Sequence, residues 1–156
     1  MAIGKIYSSL MVTEDWPFFL QTIKESPDWE DAERSGFNIK NFLIRYSDLN
    51  GVWRVWKMNG DRIAITFHVN SSPSNQKPWM GTILVKKELR RQGIGLAIIR
   101  QICSELKDGG EKSFFAGVPE DCCNWIDFLS EGGFEQFKVE TSPEGQEYLI
   151  MVCPLI

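Results

Sequence analysis

The sequence predicts an α+β fold, and three observations carry that prediction. From Val52 the apolar residues run with a period of two, the signature of a half-buried strand. Ile94, Ile98, Ile102 and Leu106 recur every fourth residue, which lines one face of a helix. Between these regions Ile83-Leu84-Val85 passes through a charged turn into Arg90-x-x-Gly93-x-Gly95, so a strand, a glycine turn and a helix follow one another directly. A chain of 156 residues fits one domain, here residues 1–156, and is long enough to bury a core.

Each element has its own local warrant. Lys5 to Val12 reads as a first strand, and Thr13 stands where an N-cap belongs, ahead of two acids and Pro17. Phe19, Leu20 and Ile23 then give the stripe of a helix that Ser26-Pro27 ends. Ile39, Phe42, Leu43 and Tyr46 share one face of a second helix, closed by Asp48 to Gly51. Two strands follow, Val52 to Met58 and Arg62 to Val69, joined by Asn59-Gly60, whose residue types suit a tight hairpin. Ile63, Ile65, Phe67 and Val69 fall on one face of the return strand. After a loop over Ser71 to Lys77, Pro78 to Val85 is the next strand, and Gly109-Gly110 ends the long helix. Lys112 to Val118 is a strand, Trp125, Ile126 and Leu129 form a short helix stopped at Gly132-Gly133, and Phe134 to Val139 pairs with Gln146 to Cys153 across the Thr141 to Gly145 turn. The order is β-α-α-β-β-β-α-β-α-β-β.

Composition narrows the class. Apolar residues make up 43% and charged ones 24%, as in soluble globular chains, and no run is long enough for a membrane span. The first residues lack the continuous apolar stretch of a signal peptide, so a cytoplasmic protein without a membrane partner is the expectation. Cys103, Cys122, Cys123 and Cys153 show no zinc-site spacing and read as reduced, mostly buried thiols, with no metal expected. Residues 53–100 carry 9 Lys+Arg against 2 Asp+Glu, a net +7, while residues 101–156 carry 3 against 11, a net −8. A basic segment around the glycine turn favours a small polyanion; the acidic remainder argues against nucleic acid.

Glycine turns of this kind serve several phosphate sites. A dinucleotide fingerprint needs a third glycine where Ile98 stands, and a Walker A loop needs Gly-Lys-Ser/Thr where Gly95 is followed by Leu96 and Ala97. Neither fits. Ile83-Leu84-Val85 followed by Arg90-Arg91-Gln92-Gly93-Ile94-Gly95 resembles the Arg/Gln-x-x-Gly-x-Gly/Ala signature of the GCN5-related N-acetyltransferase (GNAT) superfamily. Phe128-Leu129-Ser130-Glu131-Gly132-Gly133-Phe134 is similar to that family's Phe-Tyr-x-x-x-Gly-Phe segment, and the element order agrees over residues 50 to 156.

The resemblance implies a three-layer α/β sandwich of the acyl-CoA N-acyltransferase type around a mostly antiparallel mixed sheet. It also implies acetyl-CoA as co-substrate and a primary amine, of a small molecule or a protein, that attacks the thioester directly in a ternary complex. Backbone N–H groups of Arg91, Gln92, Gly93, Ile94, Gly95 and Leu96 would face the pyrophosphate, because a helix N-terminus presents unpaired donors to an anion. Arg90, like Lys86 and Lys87, adds positive charge. Ile83, Leu84 and Val85 would offer backbone to the pantetheine, and Asn124 lies near a family position where asparagine touches the cofactor.

Catalytic groups are less legible. Leu129 stands where the family often has a tyrosine that protonates the thiolate. The candidate bases are Glu120, Asp121 and His68. Asp28, Glu30, Asp31 and Glu33 are a candidate cluster for a cationic acceptor, and Trp53, Trp56 and Trp79 either wall an acceptor pocket or fill the core. A GNAT-fold module that binds CoA esters without transferring is the competing reading, with a nucleotide-phosphate binder as the third. Oligomeric state is open, a homodimer being the commonest soluble assembly.

Overall fold

The computed structural model describes residues 4–26 and 51–156. Strands β1 (Ile6–Leu10), β2 (Val52–Met58), β3 (Asp61–Val69), β4 (Trp79–Val85), β5 (Ser113–Pro119), β6 (Glu135–Thr141) and β7 (Glu147–Pro154) form one sheet in the order β1-β2-β3-β4-β5-β7-β6. Three helices accompany it among the described residues: α1 (Trp16–Lys24), α2 (Ile94–Asp108) and α3 (Cys123–Glu131). Among the described residues every strand pair is antiparallel except β4 with β5. The expected second helix over Ile39 to Tyr46, its Asp48 to Asn50 turn and the acidic cluster from Asp28 to Glu33 lie outside the described residues.

The three layers follow from strand alternation, since neighbouring side chains point to opposite faces. Val55, Ile65 and Leu84 pack on one face with Phe19 and Ile23 of α1. Trp56, Ala64 and Ile83 pack on the other with Ile94, Ile98, Ile102 and Leu106 of α2 and Leu129 of α3. The four-residue repeat of α2 is thus its buried face. A nine-residue helix such as α1 is marginal alone and is held by this packing, with Phe19 fully buried. Truncating that ring to alanine costs about 3–5 kcal/mol.

The structure corrects several local expectations. β3 is buried on both faces from Ile63 to Val69, so Ile63 joins the α2 side while Ile65 joins the α1 side. Leu20 points to solvent, and Phe19, Thr22 and Ile23 make the buried stripe of α1 instead. Thr13 begins a 3-10 turn, Thr13–Asp15, and Asp15 takes the N-cap position of α1. Among the thiols only Cys153 is buried; Cys103 and Cys122 are half-buried and Cys123 is exposed. The Asn59-Gly60 hairpin stands as expected, with φ of 54° and 84°.

No described helix is long and apolar enough to cross a membrane.

Candidate functional site

The sheet opens where the parallel pair β4–β5 ends. β4 and β5 match only at Trp79↔Phe115 and Met80↔Ala116, and beyond Met80 the ladder stops. On its other edge β4 stays paired to β3 through Ile83↔Thr66, Leu84↔Ile65 and Val85↔Ala64. The register between β3 and β4 slips at Gly81, since Phe67 pairs Thr82 and His68 pairs Met80. A bulge of this kind bends a strand and re-aims its side chains, and it sits where β4 leaves β5.

Between the parted strands lies a cavity of about 630 Å³. Trp79, Gly81, Thr82 and Ile83 of β4 and Gly117, Val118 and Pro119 of β5 line it. Trp125 and Leu129 of α3 and Tyr148 of β7 also face it, as do Glu140 to Pro143 at the β6–β7 turn. Leu129 is 3% exposed and brings no proton donor. Tyr148 brings a phenol, because its pairing with Pro119 carries β7 to the mouth of the opening. The Thr82 hydroxyl is buried with no hydrogen-bond partner among the described residues, a state that costs about 1–3 kcal/mol.

β4 joins this cavity to the glycine turn, which is not itself part of the lining. After Val85 the chain makes a short 3-10 turn, Lys87–Leu89, and Gly93 takes the N-cap of α2 with φ of 81°, a left-handed conformation that glycine adopts at no steric cost. Ala97 N–H is the first to reach back, to Gly93 O at 3.0 Å, and no side chain caps the helix. The N–H groups of Ile94, Gly95 and Leu96 therefore have no partner within α2. Arg91 also has positive φ, 63°, and lies exposed with Gln92 and Gly93.

Two residues of the turn have other work than charge. The Arg90 guanidinium donates to Val85 O at 3.0 Å and to Ser26 Oγ at 2.7 Å, tying the end of β4 to the end of α1. Gly95 is buried, and a Cβ there would meet the Phe128 ring. Of Ile83, Leu84 and Val85, Ile83 lines the cavity while packing in the α2 core; Leu84 packs beneath α1, and Val85 lies against the α2 core.

The candidate bases are not brought together. Glu120 follows β5 in an exposed turn, where the neighbouring Glu147 carboxylate raises its pKa above the usual range. Asp121 precedes Cys122, the residue at the N-cap of α3, and its carboxylate accepts from the Cys122 thiol at 3.9 Å. Asn124 is exposed on the first turn of α3. His68 lines a different cavity, on the α2 face of the sheet, and burial first, then the Arg54 charge, holds its pKa below the ordinary value.

Of the three tryptophans singled out, Trp79 alone lines the opening, stacked on Phe115 at 5.3 Å. Trp56 is fully buried with its indole N–H on Thr66 Oγ1, and Trp53 packs between Phe19 and Phe67. Sequence reasoning missed Tyr148, Thr82 and Trp125 as cavity residues. Only the β5–β7 pairing and the β4 bulge place them there. Among the described residues no group of three or more His, Cys, Asp or Glu side chains is placed to hold a metal ion.

The chain is 41% identical over 129 residues to the uncharacterized protein YkzC of Bacillus subtilis (strain 168), covering 83% of this chain and 90% of that one. No family model matches it. Among solved structures, a GNAT-family protein from Desulfovibrio desulfuricans superposes with a TM-score of 0.75 at 11% identity, covering 97% of this chain and 100% of the other. The aminoglycoside acetyltransferase AAC(6')-Ib, solved with coenzyme A and kanamycin, gives 0.73 at 15% identity over 96% and 95%. At such identities the likeness establishes the fold.

Proposed function

We propose, for a chain that belongs to one family with YkzC and has the fold of the GCN5-related N-acetyltransferases, that it is a single-domain N-acetyltransferase. Its donor is acetyl-CoA and its acceptor a primary amine. One observation carries this reading: the β4–β5 ladder ends at Met80 beside a cavity of about 630 Å³, on the strand that leads into the uncapped N-terminus of α2.

The residues fit such a donor. Backbone N–H groups from Arg91 to Leu96 would hold the pyrophosphate, with the helix dipole adding attraction for negative charge. The β4 backbone from Gly81 to Val85, which β5 leaves free, would pair with the pantetheine amides as an added strand does. Bound there, acetyl-CoA supplies an activated acetyl group.

In the transfer, the neutral amine nitrogen forms a bond to the thioester carbonyl carbon, the carbon–sulfur bond breaks, the amine proton passes to water and the thiolate takes up a proton. Leu129 cannot give that proton. Tyr148, the phenol in the cavity wall, takes the role in this reading, and a thiol of pKa about 8.5 asks little of its acid.

The leucine at position 129 favours a second reading, a module that binds CoA esters and transfers nothing. Thiol release from acetyl-CoA across a panel of amines separates the two. Release that depends on the amine supports transfer, and tight binding with no release supports the module.

A further inference from the structure

Cys103 of α2 and Cys153 of β7 are 50 residues apart in sequence, and the fold sets their sulfurs 4.0 Å from each other. Both sit on stiff elements. Cys103 lies in the C-terminal half of α2, and Cys153 pairs with Phe114 across the β5–β7 ladder. Cys153 is 7% exposed inside the core that α2 covers, while Cys103 is half-buried at the border of that core. A disulfide holds its sulfurs about 2.05 Å apart, so the two must approach by about 2 Å, which rotation about their Cα–Cβ bonds supplies.

The chemistry of the pair suits oxidation. The Cys103 S–H donates to Cys153 Sγ, and this hydrogen bond, outweighing burial, lowers the Cys153 pKa while it raises that of Cys103. One sulfur is thereby favoured as thiolate, the reactive form, and the other keeps the proton. Two thiols in contact are inert packing only while no oxidant reaches them, and the half-exposure of Cys103 opens the pair to a small one. The other two thiols, Cys122 and Cys123, are neighbours in sequence. Their Cα atoms stand about 3.8 Å apart, closer than a disulfide usually allows.

We propose that Cys103 and Cys153 are an oxidation site, which hydrogen peroxide converts into an intramolecular disulfide pinning α2 to β7. The Cys153 thiolate attacks one peroxide oxygen: a sulfur–oxygen bond forms, the oxygen–oxygen bond breaks, and the departing hydroxide takes up a proton as water. The Cys103 sulfur then attacks the Cys153 sulfenic sulfur, the sulfur–oxygen bond breaks, and the Cys103 proton leaves with the hydroxide as a second water. Two thiols give up two electrons, and the peroxide takes both. The site is apart from the opening between β4 and β5, whose lining includes neither cysteine.

The full chain is treated with a small excess of hydrogen peroxide, quenched with N-ethylmaleimide, separated on a non-reducing gel and digested with trypsin. Cleavage after Arg100, Lys107, Lys112 and Lys138 puts Cys103, Cys153 and the adjacent Cys122 and Cys123 on three different peptides. The expected result, from the band of the single chain, is residues 101–107 linked to residues 139–156, with Cys122 and Cys123 still alkylated. Cys103→Ser should abolish the link, whereas Cys122→Ser combined with Cys123→Ser should leave its yield unchanged. Closing so long a loop should raise the thermal midpoint by roughly 4–16 °C, and dithiothreitol should return it. Absence of the link, a link found only between chains, oxidation confined to Cys122 and Cys123, or a midpoint that falls on cross-linking would overturn the proposal. None of these readouts depends on acetyl transfer, so the site and the enzymatic reading stand or fall separately.

Discussion

A Cβ built on Gly95 would stand 2.8 Å from Cζ and 2.9 Å from Cε1 of Phe128, so the second glycine of the turn is where α3 closes onto the first turn of α2. Its lack of a side chain serves helix packing. Gly95→Ala should therefore cost about 1–3 kcal/mol through overpacking, lowering the thermal midpoint by roughly 2–12 °C. Phe128→Leu in the same chain should restore most of the loss. A midpoint unchanged in the single variant would show that the ring swings away freely.

Gly93 has the complementary role. Gly93→Asp adds negative charge at an anion-binding helix terminus and strains a left-handed position, which costs about 1–2 kcal/mol. Gly93→Asn, uncharged and tolerant of positive φ, isolates the charge. Affinity for acetyl-CoA, followed by calorimetry, should fall at least about tenfold in the aspartate variant and far less in the asparagine one. Equal losses would assign the effect to backbone strain.

Asp15 is 2% exposed and accepts from Val12 N–H at 2.9 Å and Arg62 Nε at 2.8 Å. Burial pushes its pKa up, but the Val12 N–H and the Arg62 guanidinium outweigh it and hold the carboxyl below its usual 3.8. A depressed folded pKa gives stability that is present above the unfolded value and lost as pH falls through the folded one. Arg62→Met should thus destabilise by about 1–3 kcal/mol at pH 7 in urea denaturation, and the gap to the parent chain should shrink at pH 3. A gap independent of pH would mean the carboxylate draws nothing from Arg62.

Tyr148→Phe tests the proton donor. With a leaving thiolate that needs little help, kcat should fall by about 10²-fold, the low end for a general acid, with little change in KM for acetyl-CoA. An unchanged kcat would hand that proton to water.

Elements held by local rules were legible in the sequence. The repeat from Ile94 to Leu106 is the buried face of α2, Asn59-Gly60 makes its hairpin, and Gly109 and Gly132 stand at the C-caps of α2 and α3. What the sequence hid depends on long-range register. Tyr148 reaches the opening only because β7 pairs with β5, and Thr82 sits against it only because Gly81 is a bulge against β3. The motif predicted a turn at the start of α2 but not its division of labour: charge on Arg90 is used to hold Val85 and Ser26, and Gly95 packs against a ring. Those roles come from partners 5 to 64 residues away in sequence.

The central claim is that the opening between β4 and β5, with the α2 N-terminus, is an acyl-CoA site. Thermal denaturation with acetyl-CoA, ATP or NAD added separately tests it most directly, because a ligand bound only by the folded state stabilises it by mass action. At about a hundredfold excess over Kd, acetyl-CoA should raise the midpoint by roughly 5–10 °C, while ATP and NAD leave it nearly unchanged. No shift with acetyl-CoA, or an equal shift with all three, would contradict the account.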